Sequence, residues 1–330
     1  MKAVRYSQFG SADVLHLEDV AVPVPTDGQV RVRVAATSFN PVDASIRAGG
    51  MQGPVPVTLP HTPGIDVAGT VDALAPGADH ADHADHADDG EGRGRLAVGE
   101  AVIGFLPLTA PGASAEFALA PADALVAAPT SVDLADAAAL PIVGLTAWQA
   151  LFEHGALQAG QRVLVNGAGG AVGLYAVQLA VAAGAHVVGV AGPRSAERVR
   201  DAGAHVVVDR SSLGSSDELA EAVGGPVDLA LNLAPVEAGQ LDALVALVVD
   251  GGTLVNTTVW MPAPSDEARG VRGVDVFVRS DAGQLTELVR RVDAGELRIS
   301  VGERIGLADL PALHARAAAG EVSGKVVVVL

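Results

Sequence analysis

Along residues 29–38 apolar and charged side chains alternate one for one, Val30, Val32 and Val34 against Arg31 and Arg33. A period of two predicts a strand with one face buried and the other in water. Further strands are predicted over "IDVAGTVDAL", "EAVIGF" and "SAEFALA", with prolines in the loops between them, so the first part of the chain reads as β-rich. From about residue 130 the rhythm changes to an α/β alternation. "RVLVNG" is a short continuous apolar run, the mark of a strand buried on both faces, and Val172, Tyr175, Ala176 and Leu179 then recur at helical spacing. The strands "HVVGVA", "HVVVD", "VDLALNLA" and "GGTLVNTTV" follow, separated by helices from Ser195 and near residues 215–223 and 237–248. Strands that each follow a crossover helix predict a parallel, doubly wound sheet. The closing segment predicts the strand "VDVFV", helices around 285–292 and 307–318, and the strand "KVVVVL", elements expected to fold back onto the β-rich start. The expected division is a β-rich domain over residues 1–125 and 285–330, with an insertion at 78–95, and an α/β domain over 126–284.

The bend between "RVLVN" and the helix after it reads "GAGGAVG", with glycines at 167, 170 and 173. Glycine lets a chain turn sharply, leaves room for a ligand beside the main chain and allows a helix to pack close to a sheet. The unpaired N–H groups of Ala171, Val172 and Gly173 at the helix start then form a phosphate site. The spacing is G-x-x-G-x-x-G rather than G-x-G-x-x-G, and the surrounding strand–helix alternation is what turns a tight bend into a dinucleotide-binding turn. In such folds a carboxylate about 20 residues further on, at the tip of the second strand, accepts the ribose hydroxyls of NAD. Here the tip reads "GVAGPRSAER", with Gly192, Arg194 and Ser195 in place of an acid. A guanidinium beside a hydroxyl suits a 2′-phosphate, so the expected cofactor is NADP(H); the plain alternative for Arg194 is a surface arginine in a first helical turn.

Composition narrows the chemistry. The 330 residues carry 21 basic and 39 acidic side chains, a formal charge of −18, which argues against nucleic acid or an anionic membrane as partner. No cysteine is present, so disulfides and thiolate metal sites are excluded. "MKAVRYSQFG" lacks the apolar core of a signal peptide, and the expectation is a cytoplasmic protein with a small-molecule partner. The tract "ADHADHADHADDGEGRGR" interleaves His80, His83 and His86 with aspartates. It offers metal ligands without an apolar face to fix their geometry, and is expected to be a solvated insertion.

In combination, "FNPVDASIRAG", "PHTPGIDVAGTV", "AALPIVGLTAWQAL", "GAGGAVG" and "GKVVVVL" resemble the medium-chain dehydrogenase/reductase superfamily. The chain is most similar to the zinc-free, zeta-crystallin-like quinone oxidoreductase branch. The resemblance implies a GroES-like catalytic domain, a Rossmann cofactor domain and a homodimer. Zinc-dependent members place a cysteine where this chain has Asn40 and a histidine where it has Ile65. Without a Lewis acid to polarise an alkoxide, hydride transfer to an already electrophilic conjugated carbonyl compound is the expected reaction. Asn40 corresponds to a residue facing the nicotinamide and could donate to a substrate oxygen, or it could simply shape the turn before Pro41. Thr146 matches the threonine near the nicotinamide, the alternative being a helical threonine bonded to its own backbone. Cofactor contacts fall on Gly167, Gly170, Ala171, Val172, Gly173, Gly192, Arg194 and Ser195, with Arg210 beside the 2′-phosphate and Phe277 also implied. Asp43 is read as a helix cap. Relatives often carry an active-site tyrosine where this chain has Gly50 and Met51, so water is left as the proton source; Tyr175 reads as core. Phe105, Trp260 and Met261 are candidate walls of an apolar pocket. Two rival functions are an enoyl-thioester reductase and a non-catalytic NADPH-binding protein. With neither zinc ligand in place, turnover should survive exhaustive dialysis against EDTA; stoichiometric zinc lost together with activity would overturn this.

Overall fold

The structure, a computed structural model, describes residues 1–76, 78, 96–214, 216–258 and 261–330. The histidine–aspartate tract at 79–95 and Trp260 lie outside the described residues. In chain order the elements are β1 (Lys2–Arg5), β2 (His16–Asp19), β3 (Gln29–Ser38), α1 (Pro41–Arg47), β4 (Asp66–Leu74), β5 (Ala101–Phe105), β6 (Phe117–Pro121), β7 (Leu125–Ala127), α2 (Leu134–Ala137) and α3 (Pro141–Trp148). A π-helical turn continues α3 over Gln149–His154. There follow β8 (Arg162–Asn166), α4 (Ala171–Ala182), β9 (His186–Ala191), α5 (Ala196–Asp201), β10 (Val206–Asp209), α6 (Ser216–Val223), β11 (Val227–Asn232), α7 (Ala238–Leu247), β12 (Val248–Asn256) and β13 (Arg272–Asp275). The chain closes with α8 (Ala282–Asp293), β14 (Glu303–Gly306), α9 (Leu310–Ala318) and β15 (Val326–Val329). Among the described residues no helix is long and apolar enough to cross a membrane.

Two compact units result. The first comprises Met1–Ile142, Ser280–Gly295 and Ile299–Leu330, and the second Val143–Arg279 with Glu296–Arg298. In the first, strands run in the order β14-β15-β3-β4-β5-β7, with β6 also paired to β3. The alternation along β3 does what its pattern predicts. Val30, Val32 and Val34 enter a core with Val67, Val71 and Val102, while Arg31 and Arg33 both reach Asp72, at 2.6 and 3.0 Å, over the ring of Phe117. The closing strand β15 pairs antiparallel with β3, setting Val327 against Ser38 and Val329 against Ala36. Its apolar side chains join Phe39, Leu310 and Leu313 in a second cluster.

In the second unit six parallel strands run β10-β9-β8-β11-β12-β13. This is the dinucleotide-fold order 3-2-1-4-5-6, with connections leaving β8 toward one side and returning beside it on the other. Val163, Leu164 and Val165 are wholly buried, as a strand covered on both faces must be. On α4 burial reaches Leu174, Tyr175, Ala176, Val177, Leu179 and Ala180, whereas Val172 is only half-buried; Tyr175 is core, as read from the sequence.

Three differences from the sequence reading have physical causes. The pair β1–β2 and the strand β14 are four residues each, too short to show an alternation. The strand expected over "VDVFV" ends at Asp275, because its carboxylate turns to accept the N–H of Ala263, and Phe277 beyond it is 55% exposed. Residues 307–318 are not one α-helix: a 3-10 turn over Leu307–Asp309 precedes α9, which has Pro311 in its first turn.

Candidate functional site

The glycine turn is built as the sequence suggests, with one addition. Gly167 has φ +84°, a conformation that side-chain-bearing residues rarely adopt. A Cβ on Gly173 would stand 2.3 Å from the carbonyl oxygen of Gly167, so α4 can approach the turn only with glycine there. Gly170 is the extended N-cap of α4 and needs no positive φ. The addition is Gly169: a Cβ there would meet the Ser195 hydroxyl at 2.2 Å, so the turn and the tip of β9 are in contact. The first turn of α4 carries no acidic side chain, leaving its outward N–H groups and the positive end of the helix dipole open to an anion.

At the tip of β9, Ser195 Oγ donates to Gly192 O at 3.2 Å. Arg210, just after β10, lies over Gly192: a Cβ there would be 3.6 Å from its Nε. Arg194 and Arg210 are both exposed, and among the described residues neither makes an ion pair. The neighbouring acid, Asp209, accepts from Ser211 N and Oγ at 2.9 and 2.7 Å; these bonds, with the nearby charge of Arg210, hold its carboxyl below the usual carboxylate range, and it forms no ion pair with either guanidinium. Gly192, Ser195 and Arg210 thus meet beside the glycine turn, and the strand tip offers a hydroxyl and a guanidinium where no acid stands.

The β-rich unit holds a buried polar cluster around Asn40, at the junction of β3 and α1. Lys325 Nζ, 2% exposed, donates to Asn40 Oδ1 and, at 3.1 Å, to Asp66 Oδ2. Asp66 is wholly buried and also accepts from Asn40 Nδ2 at 2.9 Å, from Ser38 Oγ and from Ile142 N at 2.8 Å. Asp43, in the first turn of α1, accepts from Asn40 N at 3.2 Å and Gly64 N at 2.9 Å, so it caps the helix and also pins the "PHTPG" loop. Burial pushes the Asp43 carboxyl up to about 7, with Asp66 adding to the rise, and burial also lowers the Lys325 ammonium. Lys325 therefore pairs with Asp66, and its charge acts on Asp43 only at longer range. The amide of Asn40 is largely committed to this cluster: beyond Asp66, its nitrogen makes only long bonds to Ser38 O and Oγ at 3.4 and 3.5 Å.

The remaining candidate residues divide between the two units. Thr146 is buried on α3 in the second unit, and Met261 packs against that unit's core. Phe105 is buried at the end of β5 in the first unit, as is Met51 beside Ile46 and Val55. Tyr6 is buried against His61 with its hydroxyl unpartnered among the described residues, and burial pushes that hydroxyl well above its ordinary range. Sequence reading passed over Asp66 and Lys325. The signal for both was a single charge inside an apolar run, "GIDVAG" and "GKVVVVL".

Removing the ammonium while leaving Asp66 buried should be costly, so Lys325→Met is expected to lose about 3–5 kcal/mol of stability in urea unfolding, part of it recovered by adding Asp66→Asn. Asp43 has a folded pKa above its unfolded value, so it contributes most stability below about pH 4 and loses that contribution as pH rises toward 7. The stability of the wild type minus that of Asp43→Asn should accordingly fall between pH 4.5 and 7.5, by about 4 kcal/mol at most, in paired urea titrations.

The Alcohol dehydrogenase GroES-like domain model matches residues 26–130, and the Zinc-binding dehydrogenase model matches residues 202–328. Despite the second description, no group of three or more metal-ligating side chains is assembled among the described residues. A quinone oxidoreductase of Sus scrofa is 37% identical over 226 residues, which span 68% of this chain and 63% of that relative, less than two thirds of its length. A quinone oxidoreductase of Lama guanicoe is 32% identical over 340 aligned positions, covering 98% of this chain and 96% of the relative. A mycobacterial structure solved with NADPH superposes with a TM-score of 0.82 at 28% identity, over 100% of both chains. With a GroES-like β unit, a parallel sheet in dinucleotide-fold order and a full-length relative at this identity, the chain belongs to the medium-chain dehydrogenase/reductase superfamily as a homologue of its quinone oxidoreductases.

Proposed function

We propose that the protein is an NADPH-dependent, zinc-independent reductase of quinones or related α,β-unsaturated carbonyl compounds. The observation that carries the cofactor choice is the pair of exposed guanidinium groups, Arg194 and Arg210, set beside Ser195 and Gly192 with no carboxylate paired to either among the described residues. An NAD site would hold an acid at that tip. The α4 N-terminus receives the pyrophosphate, and Gly173 and Gly169 let that helix start and the tip of β9 close up against the glycine turn. Bound NADPH supplies the hydride. The acceptor class follows from the quinone oxidoreductase relatives and from the side chains at the zinc-ligand positions, an amide at 40 and an isoleucine at 65, which cannot replace a thiolate and an imidazole. A conjugated acceptor is electrophilic without a metal, and its oxygens take their protons from solvent. Asn40 would contribute as a donor to such an oxygen through the one amide hydrogen that Ser38 holds weakly, while Lys325 and Asp66 fix the plane of the amide.

NADPH should bind more tightly than NADH by at least about tenfold, roughly 1.4 kcal/mol, and Arg194→Ala should remove most of that margin by weakening NADPH alone. Fluorescence titration of both cofactors measures it, and equal affinities in the wild type would overturn the assignment. In the same preparation simple quinones and short enones should oxidise NADPH, whereas secondary alcohols with NADP should give no turnover. Tight NADPH binding with no acceptor reduced would favour a binding protein over a reductase.

A further inference from the structure

Four polar side chains stand in one row across the carboxyl edge of the parallel sheet. Asn166 ends β8, Asn232 ends β11, Asn256 ends β12 and Asp275 ends β13, and strand register sets each directly against the next. Every rung points the same way: Asn166 Nδ2 donates to Asn232 Oδ1 at 2.7 Å, Asn232 Nδ2 to Asn256 Oδ1 at 2.8 Å, and Asn256 Nδ2 to Asp275 Oδ1 at 2.8 Å. The three asparagines are 2%, 0% and 1% exposed at the ends of strands otherwise rich in valine and leucine. Apolar residues would avoid the cost of burying amides, so the row is there for its geometry.

The direction of the row is set by groups that cannot be exchanged. Asn256 Oδ1 accepts from Thr258 N at 3.2 Å, and Asn256 Nδ2 donates to Met261 O at 2.8 Å, so main-chain donors and acceptors allow that amide only one orientation. Asp275 accepts a second bond, from Ala263 N at 3.0 Å. Asn256 therefore shows its oxygen to Asn232, and Asn232 shows its oxygen to Asn166. The open end of the row is Asn166 Oδ1, to which no described residue donates. That oxygen adjoins Gly167 at the point where strand order reverses between β8 and β11. In this fold a dinucleotide crosses that crevice, with its pyrophosphate at the glycine turn and its adenosine half over the second strand.

We infer that Asn166 Oδ1 is a binding group for the nicotinamide half of the cofactor, accepting a hydrogen bond from a ribose hydroxyl or the carboxamide, and that Asn232, Asn256 and Asp275 are positioning residues that hold it as an acceptor. The inference rests on the nicotinamide-cofactor reading above. An Asn166 amide turned the other way would meet the same cofactor donor with an N–H, and the row exists to prevent that.

The test compares intact NADPH with adenosine 2′,5′-bisphosphate, which carries only the adenosine half, in calorimetric and fluorescence titrations of the full chain. Asn166→Ala should weaken NADPH by about tenfold and leave the bisphosphate unchanged, the size expected for one lost hydrogen bond. Asn232→Ala, which touches no cofactor, should weaken NADPH by about threefold with the bisphosphate again unchanged, because Asn166 is then free to turn. A purely structural row would weaken both ligands together or lower only the melting temperature, and either result overturns the inference. NADPH affinity within twofold of wild type in Asn166→Ala overturns it as well. If Asn166→Ala does not fold, Asn166→Ser keeps a hydroxyl donor for Asn232 but withdraws the amide oxygen, and the same split between the two ligands decides. Wild-type protein that binds neither NADPH nor NADH would instead sink the cofactor reading itself, and the inference with it.

Discussion

Parallel pairing on both sides of β8 is the constraint on which the second unit depends. Main-chain hydrogen bonds to β9 on one side and β11 on the other leave this strand no exposed edge, and helices cover its faces, so only valine and leucine fit its middle. Because all six strands point the same way, their carboxyl ends reach one edge together. The connections leaving that edge part on either side of β8, the point at which open parallel sheets take their ligands. The glycine turn, the Gly192–Ser195 tip and the row ending in Asn166 all lie on that edge, and each is polar where the sheet below is not.

The β-rich unit solves a different problem. It buries an ammonium and two carboxyls at the start of α1, and such charges are stable only when their remaining donors and acceptors are filled. Lys325, Asp66, Asn40, Asp43 and Ser38 fill one another, with the N–H groups of Ile142 and Gly64 completing the set. The chain segments involved are distant in sequence: the last strand, the fourth strand and the first helix. Holding them together ties the C-terminal strand β15 to the turn that carries Asn40.

Much of this was legible from residue patterns. The alternation in "QVRVRV", the continuous "RVLV" and the strand–helix rhythm beyond residue 130 are local consequences of which face meets water, and the structure reproduces them within a few residues. The glycine turn and the acid-free tip of β9 were equally readable, because both depend on neighbours in the chain. Illegible were β1, β2 and β14, four residues each, which are too short to show a period and are held as strands by the partner each pairs with, β1 and β2 by one another and β14 by β15. So was the role of Gly169, an unremarkable glycine until Ser195 is brought against it.

By itself the sequence determined the fold class, the place of the glycine turn and the absence of a cysteine ligand, since each rests on residue type and short-range spacing. Only the tertiary structure decided which polar groups pair. Asn166, Asn232, Asn256 and Asp275 are spread over 110 positions, and nothing in their local surroundings marks them as one row. The same holds for Lys325 and Asp66, which are 259 residues apart. Burial raises the cost of an unpaired polar group until it selects a single partner, and the partner is whichever group strand pairing brings within reach.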